Sequence, residues 1–599
     1  MKRRILWLVL SFLVVAALVV TSCAKEEVVT PGEQEEEEEV VTPGEEVEEE
    51  EEVVVPAAGE PVYGGRLTLL YNQTDFLGSP DPQWGVYNTF AFWSSVMERP
   101  FCGDVYKYGA RGTGEWLFSQ VTYTPEKYLT GALAESWEVT PDKIVLHMRQ
   151  GVLWYADHVD FMETREFTAD DMVWNLIRAA DPASPGSGYY DGIYWVKEPH
   201  EEHIYATDRY TVVIETNYYH SAWTFILTGG SGQVIAPECV EKADVTKWEN
   251  LVGTGPFYIK KYVPGSHMLY GRNPYYWQKA TINGIEYDTP FLDEYIHVMI
   301  KDVATTVAAL RTATLDVEMK VPPEQAASLD KTNPELMKVR NTAAGWSMTL
   351  FLRCDQPPFS DRNVRRALFI GTDRTVANAV NMIKMDYYEW PIAKGTAGYV
   401  PMERLPASCQ ELLTYDPVKA KQMLADAGYP TGFTMQINTS TRANMAVIAE
   451  LLADQWKKLG ITVEIIVKVE TTINKISREH TYQGATTAWS SMDQPDIIST
   501  GFWTITGPRN YSAYYDEYSS SRLLAAVSEI DEAKRTTMLE EVFVHMLDDA
   551  PCIAFGYPCD STYFWPWVKN CYGEVAYFNQ SPDYHNWWLD AKLKATMGY

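Results

Sequence analysis

The sequence predicts an α/β protein of at least two lobes, and three observations lead there. About 540 residues follow an acidic N-terminal segment, more than one hydrophobic core organises. Ile448 to Leu459 carries a helical apolar period, Gly460 ends it, and Ile461 to Val467 reads as a strand, the succession of an α/β unit. Thr168-Ala169-Asp170-Asp171 opens another helix, with Met172, Val173, Leu176 and Ile177 at its apolar spacing and Asp171 in the first turn.

At the N-terminus, Met1-Lys2-Arg3-Arg4 precedes an apolar run from Ile5 to Val20 interrupted only by Ser11. That is the layout of an export leader, and the run falls short of the roughly 20 residues that span a bilayer. Val20-Thr21-Ser22-Cys23 resembles a bacterial lipobox, which implies cleavage after residue 22 and lipidation of Cys23. Acyl chains on one residue hold a domain at a membrane surface without spanning it. The expected location is extracytoplasmic, in the periplasm or at the cell surface.

From Ala24 to Glu60 the 37 residues are mostly Glu, Val, Pro and Gly, with 16 Glu and one Lys. Val-Val-Thr-Pro-Gly-Glu occurs at 28–33 and again at 40–45. Like charges in blocks repel and extend, so this stretch is expected to be a solvated, disordered tether. The net charge of the chain is −31, and the part beyond the tether stays acidic. An acidic surface excludes a backbone-binding nucleic-acid protein, which needs a basic stripe.

Past the tether, Gly64-Gly65 leads into Arg66 to Tyr71, a strand by its alternation, and Ile144 to Met148 reads as another. Asp416-Pro417 starts a helix whose apolar face is Val418, Met423, Leu424 and Ala427, closed by Gly428. Seven cysteines remain besides Cys23; Cys552, Cys559 and Cys571 lie closest together and are the expected source of one disulfide.

Enzyme signatures are missing: the chain holds no Gly-x-Ser-x-Gly elbow, no phosphate-binding Gly-Lys-Ser/Thr loop and no His-Glu-x-x-His zinc helix. Ten histidines without a placed His pair argue against a direct metal cage, so no metal and no cofactor are expected.

A series of motifs runs through nearly the whole chain. It includes Asp81-Pro82, Ala132-Leu133-Ala134-Glu135-Ser136-Trp137, His147-Met148-Arg149-Gln150-Gly151-Val152 and Phe167-Thr168-Ala169-Asp170-Asp171. Gly253-Thr254-Gly255-Pro256-Phe257, Asn273 with Tyr276-Trp277, and Leu315-Asp316-Val317 continue it. Pro357-Pro358-Phe359-Ser360-Asp361, Val364-Arg365-Arg366-Ala367-Leu368, Asp373-Arg374 and Ala427-Gly428-Tyr429 complete it. The series resembles the family 5 extracellular solute-binding proteins of ABC importers, the oligopeptide, dipeptide and nickel receptors, here in lipoprotein form.

The resemblance implies a two-lobe, type II periplasmic-binding-protein fold with an extra subdomain, and a ligand cleft between the lobes. Residues 1–22 would be the leader, 23–60 the anchored linker, 61–334 lobe one with its subdomain, 335–556 lobe two, and 557–599 a return to lobe one. It implies an importer receptor rather than an enzyme, a monomer that delivers its solute to membrane permease subunits. Most of the motif residues are expected to be scaffold.

In peptide-binding relatives a Trp after a lobe-two strand is followed by an Asp that holds the ligand's amino group. Here the stretch is Trp489-Ser490-Ser491-Met492-Asp493-Gln494-Pro495-Asp496; counting from Trp489 puts Met492 where that Asp is expected, whereas aligning from the proline side with one residue deleted leaves Asp493 or Asp496 near that place. Expected ligand contacts are Tyr71, Asn72, Trp346, Trp489, Ser490, Ser491 and Asp493. A peptide-like solute is expected. An oligosaccharide is the alternative, because 13% aromatic residues and the Met492 departure also suit sugar faces. A secreted glycosidase with two carboxylates is the rival from another class.

Overall fold

The computed structural model describes residues 59–599 apart from 72–79, 83–94, 117, 119–123, 182–194, 229–231, 342–345, 377–389, 393, 395, 492–500, 557–559 and 573–582. Contacts divide the chain between residues 54 and 55, and everything below belongs to the second unit. The leader, Cys23 and nearly all of the acidic linker therefore lie outside the described residues. No described helix is long and apolar enough to cross a membrane.

The strands of the two large sheets, in chain order, are β1 (Arg66–Tyr71), β2 (Phe257–Val263), β3 (His267–Arg272), β4 (Glu294–Met299), β5 (Val317–Val321), β6 (Met337–Asn341), β7 (Trp346–Leu352), β8 (Thr434–Ser440), β9 (Thr462–Lys468), β10 (Ala485–Ser491), β11 (Cys552–Ala554) and β12 (Asp560–Phe564). Six helices matter here: α1 (Ala169–Ala180), α2 (Pro417–Asp426), α3 (Ala443–Lys457), α4 (Glu470–Arg478), α5 (Glu517–Val527) and α6 (Glu532–Asp549).

One sheet has the order β2-β3-β4-β1-β5-β12-β6, the other β9-β8-β10-β7-β11. Each has its own core. Leu67 and Leu69 alternate inward from β1 and join Val317, Phe564, Trp565 and Trp567 in the first. Met348, Leu350, Ile437, Trp456 and Ile553 belong to the second. Two sheets with two separate cores make the molecule an α/β protein of two lobes. The first lobe also carries a four-stranded antiparallel sheet that includes Lys143–Met148.

Local signals placed several elements. Asp171 closes a capping box at the start of α1, its carboxylate accepting from the Thr168 N–H at 2.9 Å. Asp416 caps α2 by accepting from Lys419 N. Helix α3 begins at Ala443, five residues before the Ile448 at which the apolar period becomes visible.

Several motif residues have structural partners. Arg365 donates to the carbonyls of Phe359 and Asp549, and Arg366 bridges Asp548, Glu411 and the Ser408 carbonyl. At Gly253 a Cβ would stand 1.8 Å from the Val96 carbonyl oxygen, so only glycine allows that close backbone approach. Within the expected cysteine cluster, Cys552 and Cys571 do not pair with each other. Cys552 is a free thiol in the second core, whereas Cys571 lies in the first, and burial pushes the Cys552 thiol well above its usual range. Sequence proximity brought together residues that the chain divides between two lobes; Cys559 lies outside the described residues.

Candidate functional site

Strand direction alone locates an edge where a solute could sit. In the first lobe β1, β4 and β5 are parallel and end at Tyr71, Met299 and Val321. Strand β6 ends at the same edge, since Asn341 pairs with Asp560, the first residue of β12, and Ser561 pairs with Val321. In the second lobe β8, β9 and β10 are parallel and end at Ser440, Lys468 and Ser491. Trp346, the first residue of β7, pairs with Ser491, and beyond β11 Phe555 N donates to Met348 O and Gly556 N to Ser347 Oγ. Both connections between the lobes thus join the carboxyl edges of the two sheets. Ligands of open α/β sheets bind outside such edges.

The sequence-derived contacts distribute unevenly over this geometry. Tyr71, Trp346 and Ser491 have backbones at the carboxyl edges, and nothing is described of their side chains. Asn72, Met492 and Asp493 lie outside the described residues. Trp489 is half-buried on β10 opposite Met348. Ser490 turns to the other face of the strand, is 1% exposed, and shares a 2.7 Å hydrogen bond with Thr349 Oγ1. Elsewhere in the second lobe, Trp390 and Tyr514 are buried while Tyr515 is exposed.

Two residues at this edge escaped the sequence reading. Arg442 stands just ahead of α3, its guanidinium 6.0 Å from the Trp489 ring centroid and hydrogen-bonded to Glu470 in the first turn of α4. The N-termini of α3 and α4 both follow the carboxyl ends of their strands, β8 and β9, so their positive dipole ends lie at the edge. A cation at a helix N-terminus is placed against the dipole, so helix stability does not explain Arg442. Guanidinium donors, two helix N-termini and a Trp face together suit a planar group bearing a carboxylate. Arg442 and Trp489 lie 47 positions apart, and the sequence gave no signal for this cluster.

Three other features bear on chemistry. Glu318, on β5, is 6% exposed with Oε2 lacking a hydrogen-bond partner among the described residues, and burial pushes its carboxyl up to about 7. A cavity of about 280 Å³ lies at the opposite edge of the first sheet, lined by Glu98, Arg149, Tyr276, Trp277 and others. Tyr276 and Trp277 follow the end of β3, where Gly271 pairs with Glu294, the first residue of β4. Its polar groups are engaged with one another: Tyr276 Oη and Trp277 Nε1 donate to Glu98, and Arg149 lies over Trp277 at 4.3 Å while donating to Ala132 O. Burial still raises the Glu98 carboxyl to about 7.

In the second lobe Asp516, His545 and Asp549 bring three potential metal-ligand atoms within 4.8 Å of one another. The i, i+4 spacing of His545 and Asp549 on α6 was visible in the sequence, but Asp516 joins them only through the fold. Arg362 Nε lies 3.1 Å from one Asp549 oxygen and Arg365 Nη2 3.5 Å from the other, so that carboxylate is already neutralised.

A family model described as bacterial extracellular solute-binding proteins, family 5 Middle, matches residues 129–511. Heme-binding protein A of Haemophilus influenzae is 25% identical over 482 residues, covering 76% of this chain and 84% of the relative. The dipeptide-binding protein of Escherichia coli is 24% identical over 472 residues, covering 74% and 83%. Among solved structures, the periplasmic binding protein DppA from Helicobacter pylori in complex with the peptide STSA superposes with a TM-score of 0.66 at 20% identity, covering 88% of this chain and 99% of that one.

Proposed function

The chain belongs to family 5 of the bacterial extracellular solute-binding proteins, and from that premise we propose that it captures a peptide-like solute between its lobes and delivers it to the permease of an ABC importer. The observation that carries this reading is the convergence of both carboxyl edges on the two interlobe connections, with Trp489 and Arg442 at that edge. In this reading the contacts come from Tyr71, Asn72, Trp346, Trp489, Ser491 and Asp493, with Arg442 added for a ligand carboxylate. Ser490 supports the strand from behind. The lobes are taken as 61–341 with 557–599, and 346–556, since β6 pairs with β12 in the first sheet, beyond the boundary at 334 expected from the sequence.

The protein acts without turning its solute over; the matched relatives are named as binding proteins. It works as a monomer held at the membrane by a lipidated Cys23, with the acidic linker giving the lobes room to open and close. A thermal-shift screen of the purified protein against di- to pentapeptides, oligosaccharides, haemin and metal chelates tests the ligand class. A ligand at 100 times its dissociation constant stabilises by about 2.7 kcal/mol. Peptides are expected to give the shift. A shift with oligosaccharide or haemin alone would replace the peptide while keeping the receptor, and steady cleavage of any of them would replace the receptor.

A further inference from the structure

Besides the two covalent connections, the lobes touch at a third place. The N–H of Ser221, in the first lobe, donates to the carbonyl of Val527 in the second at 2.8 Å. Close by, the Arg535 guanidinium lies 6.0 Å from the centroid of the Tyr219 ring, a cation over an aromatic face. Tyr219, Ser221 and Ala222 are buried on one side, Ala526 and Val527 on the other.

The chemistry of each partner explains why they meet. Val527 ends α5, and the last carbonyls of a helix have no intrahelical donor. The neighbouring turn satisfies Ala525 and Ala526, whose oxygens accept from Ser528 N and Glu529 N. Val527 O is completed by an amide from the other lobe. Arg535, on α6, is steadied by donating Nη1 to Glu529 O at 2.8 Å.

The facing loop is tied down by hydrogen bonds. Asn217 N donates to Trp195 O at 2.8 Å, Asn217 Nδ2 to Val196 O, and Trp223 N to His220 O. His220 accepts from Ala222 N through Nδ1, and burial lowers its pKa to about 3, so the imidazole stays neutral and the turn keeps its shape at physiological pH.

We infer that this contact is the latch of the closed receptor: a small, non-covalent third point that must part when the lobes swing about their two connections. A chain-crossing hinge bends, whereas a hydrogen bond and a ring-cation contact break, so the latch sets how much of the ligand-free protein is already closed. Closure then depends on residues that no ligand touches. The inference rests on the two-lobe receptor reading but not on the identity of the solute.

The test is therefore made without ligand, on the full chain carrying spin labels at Ile285→Cys and Val418→Cys, positions 54% and 80% exposed on the two lobes. Ser221→Pro removes the N–H, Arg535→Ala the cation, and Val527→Arg wedges a charge into the buried contact. Each is expected to raise the ratio of long to short interlobe distances by about fivefold or more, the factor one ordinary hydrogen bond corresponds to. Ser221→Ala keeps the N–H, and its hydroxyl has no partner, so it should match the wild type. If Ser221→Pro does not fold, Arg535→Ala and Val527→Arg decide. Distance distributions unchanged in both would overturn the latch, whatever solute the protein proves to bind.

Discussion

The carboxylate of Asp316, 2% exposed, accepts a hydrogen bond from Trp567 Nε1 at 2.8 Å. The same carboxylate takes Lys594 Nζ at 3.0 Å and the Thr68 N–H at 2.9 Å. One side chain thereby fastens β1, β5 and the C-terminal return of the chain. Asp316→Ala leaves a buried indole N–H, an amide and an ammonium without their acceptor, and should lower stability by about 3–5 kcal/mol. Trp567→Phe loses one hydrogen bond and should lower it by about 1–2 kcal/mol. Chemical denaturation of the two variants checks the order.

Glu318 makes stability fall as pH rises. Its folded pKa is about 7 against 4.5 for the free side chain, so between these values the folded state holds a proton that the unfolded state has released. The slope of stability with pH is negative in that window, and the deficit, on the order of 3 kcal/mol, is complete above pH 7. Glu98 adds a deficit of the same sign over the same window. Glu318→Gln should raise the melting temperature at pH 8 and leave it nearly unchanged at pH 4. Melting curves at both pH values check this; a gain of equal size at pH 4 would assign the effect to packing.

Much of the fold could be read from local chemistry. The capping box at Thr168, the Asp416-Pro417 start and Gly460 between α3 and β9 each act within a few residues, and each lies where the sequence puts it. Contacts between distant stretches were not legible in this way: Arg442 meets Trp489 and Glu470 only because β8, β9 and β10 lie side by side. Ser221 meets Val527 across two lobes, with no periodicity to announce it. Cys552 and Cys571 are near in sequence yet belong to different cores, because a lobe crossing falls between them.

Anchoring predicts a clean separation. Under the proposed lipid anchor, Cys23→Ser should move the protein from the membrane pellet to the soluble extracytoplasmic fraction while its melting temperature stays the same. Fractionation of cells expressing each form shows which holds; full retention on the membrane would point to an uncleaved leader as the anchor.

Arg442 should select for a carboxylate. Arg442→Ala is expected to weaken binding of a peptide with a free C-terminus by about tenfold or more, and to change binding of the same peptide as its C-terminal amide far less. The Arg442 side chain is itself exposed and its Glu470 partner only half-buried, so the fold should tolerate the change. Competition binding with the acid and amide forms gives the comparison.

The most direct test of the central claim, that solute is held between the carboxyl edges, is titration calorimetry of a peptide panel against the wild type and Trp489→Ala. The account predicts saturable one-to-one binding to the wild type and an affinity loss of about 1 kcal/mol or more in the variant, whose melting temperature without ligand should stay close to that of the wild type. Equal affinity in a folded Trp489→Ala protein would contradict it, because the solute would then sit away from the edge where the two lobes meet.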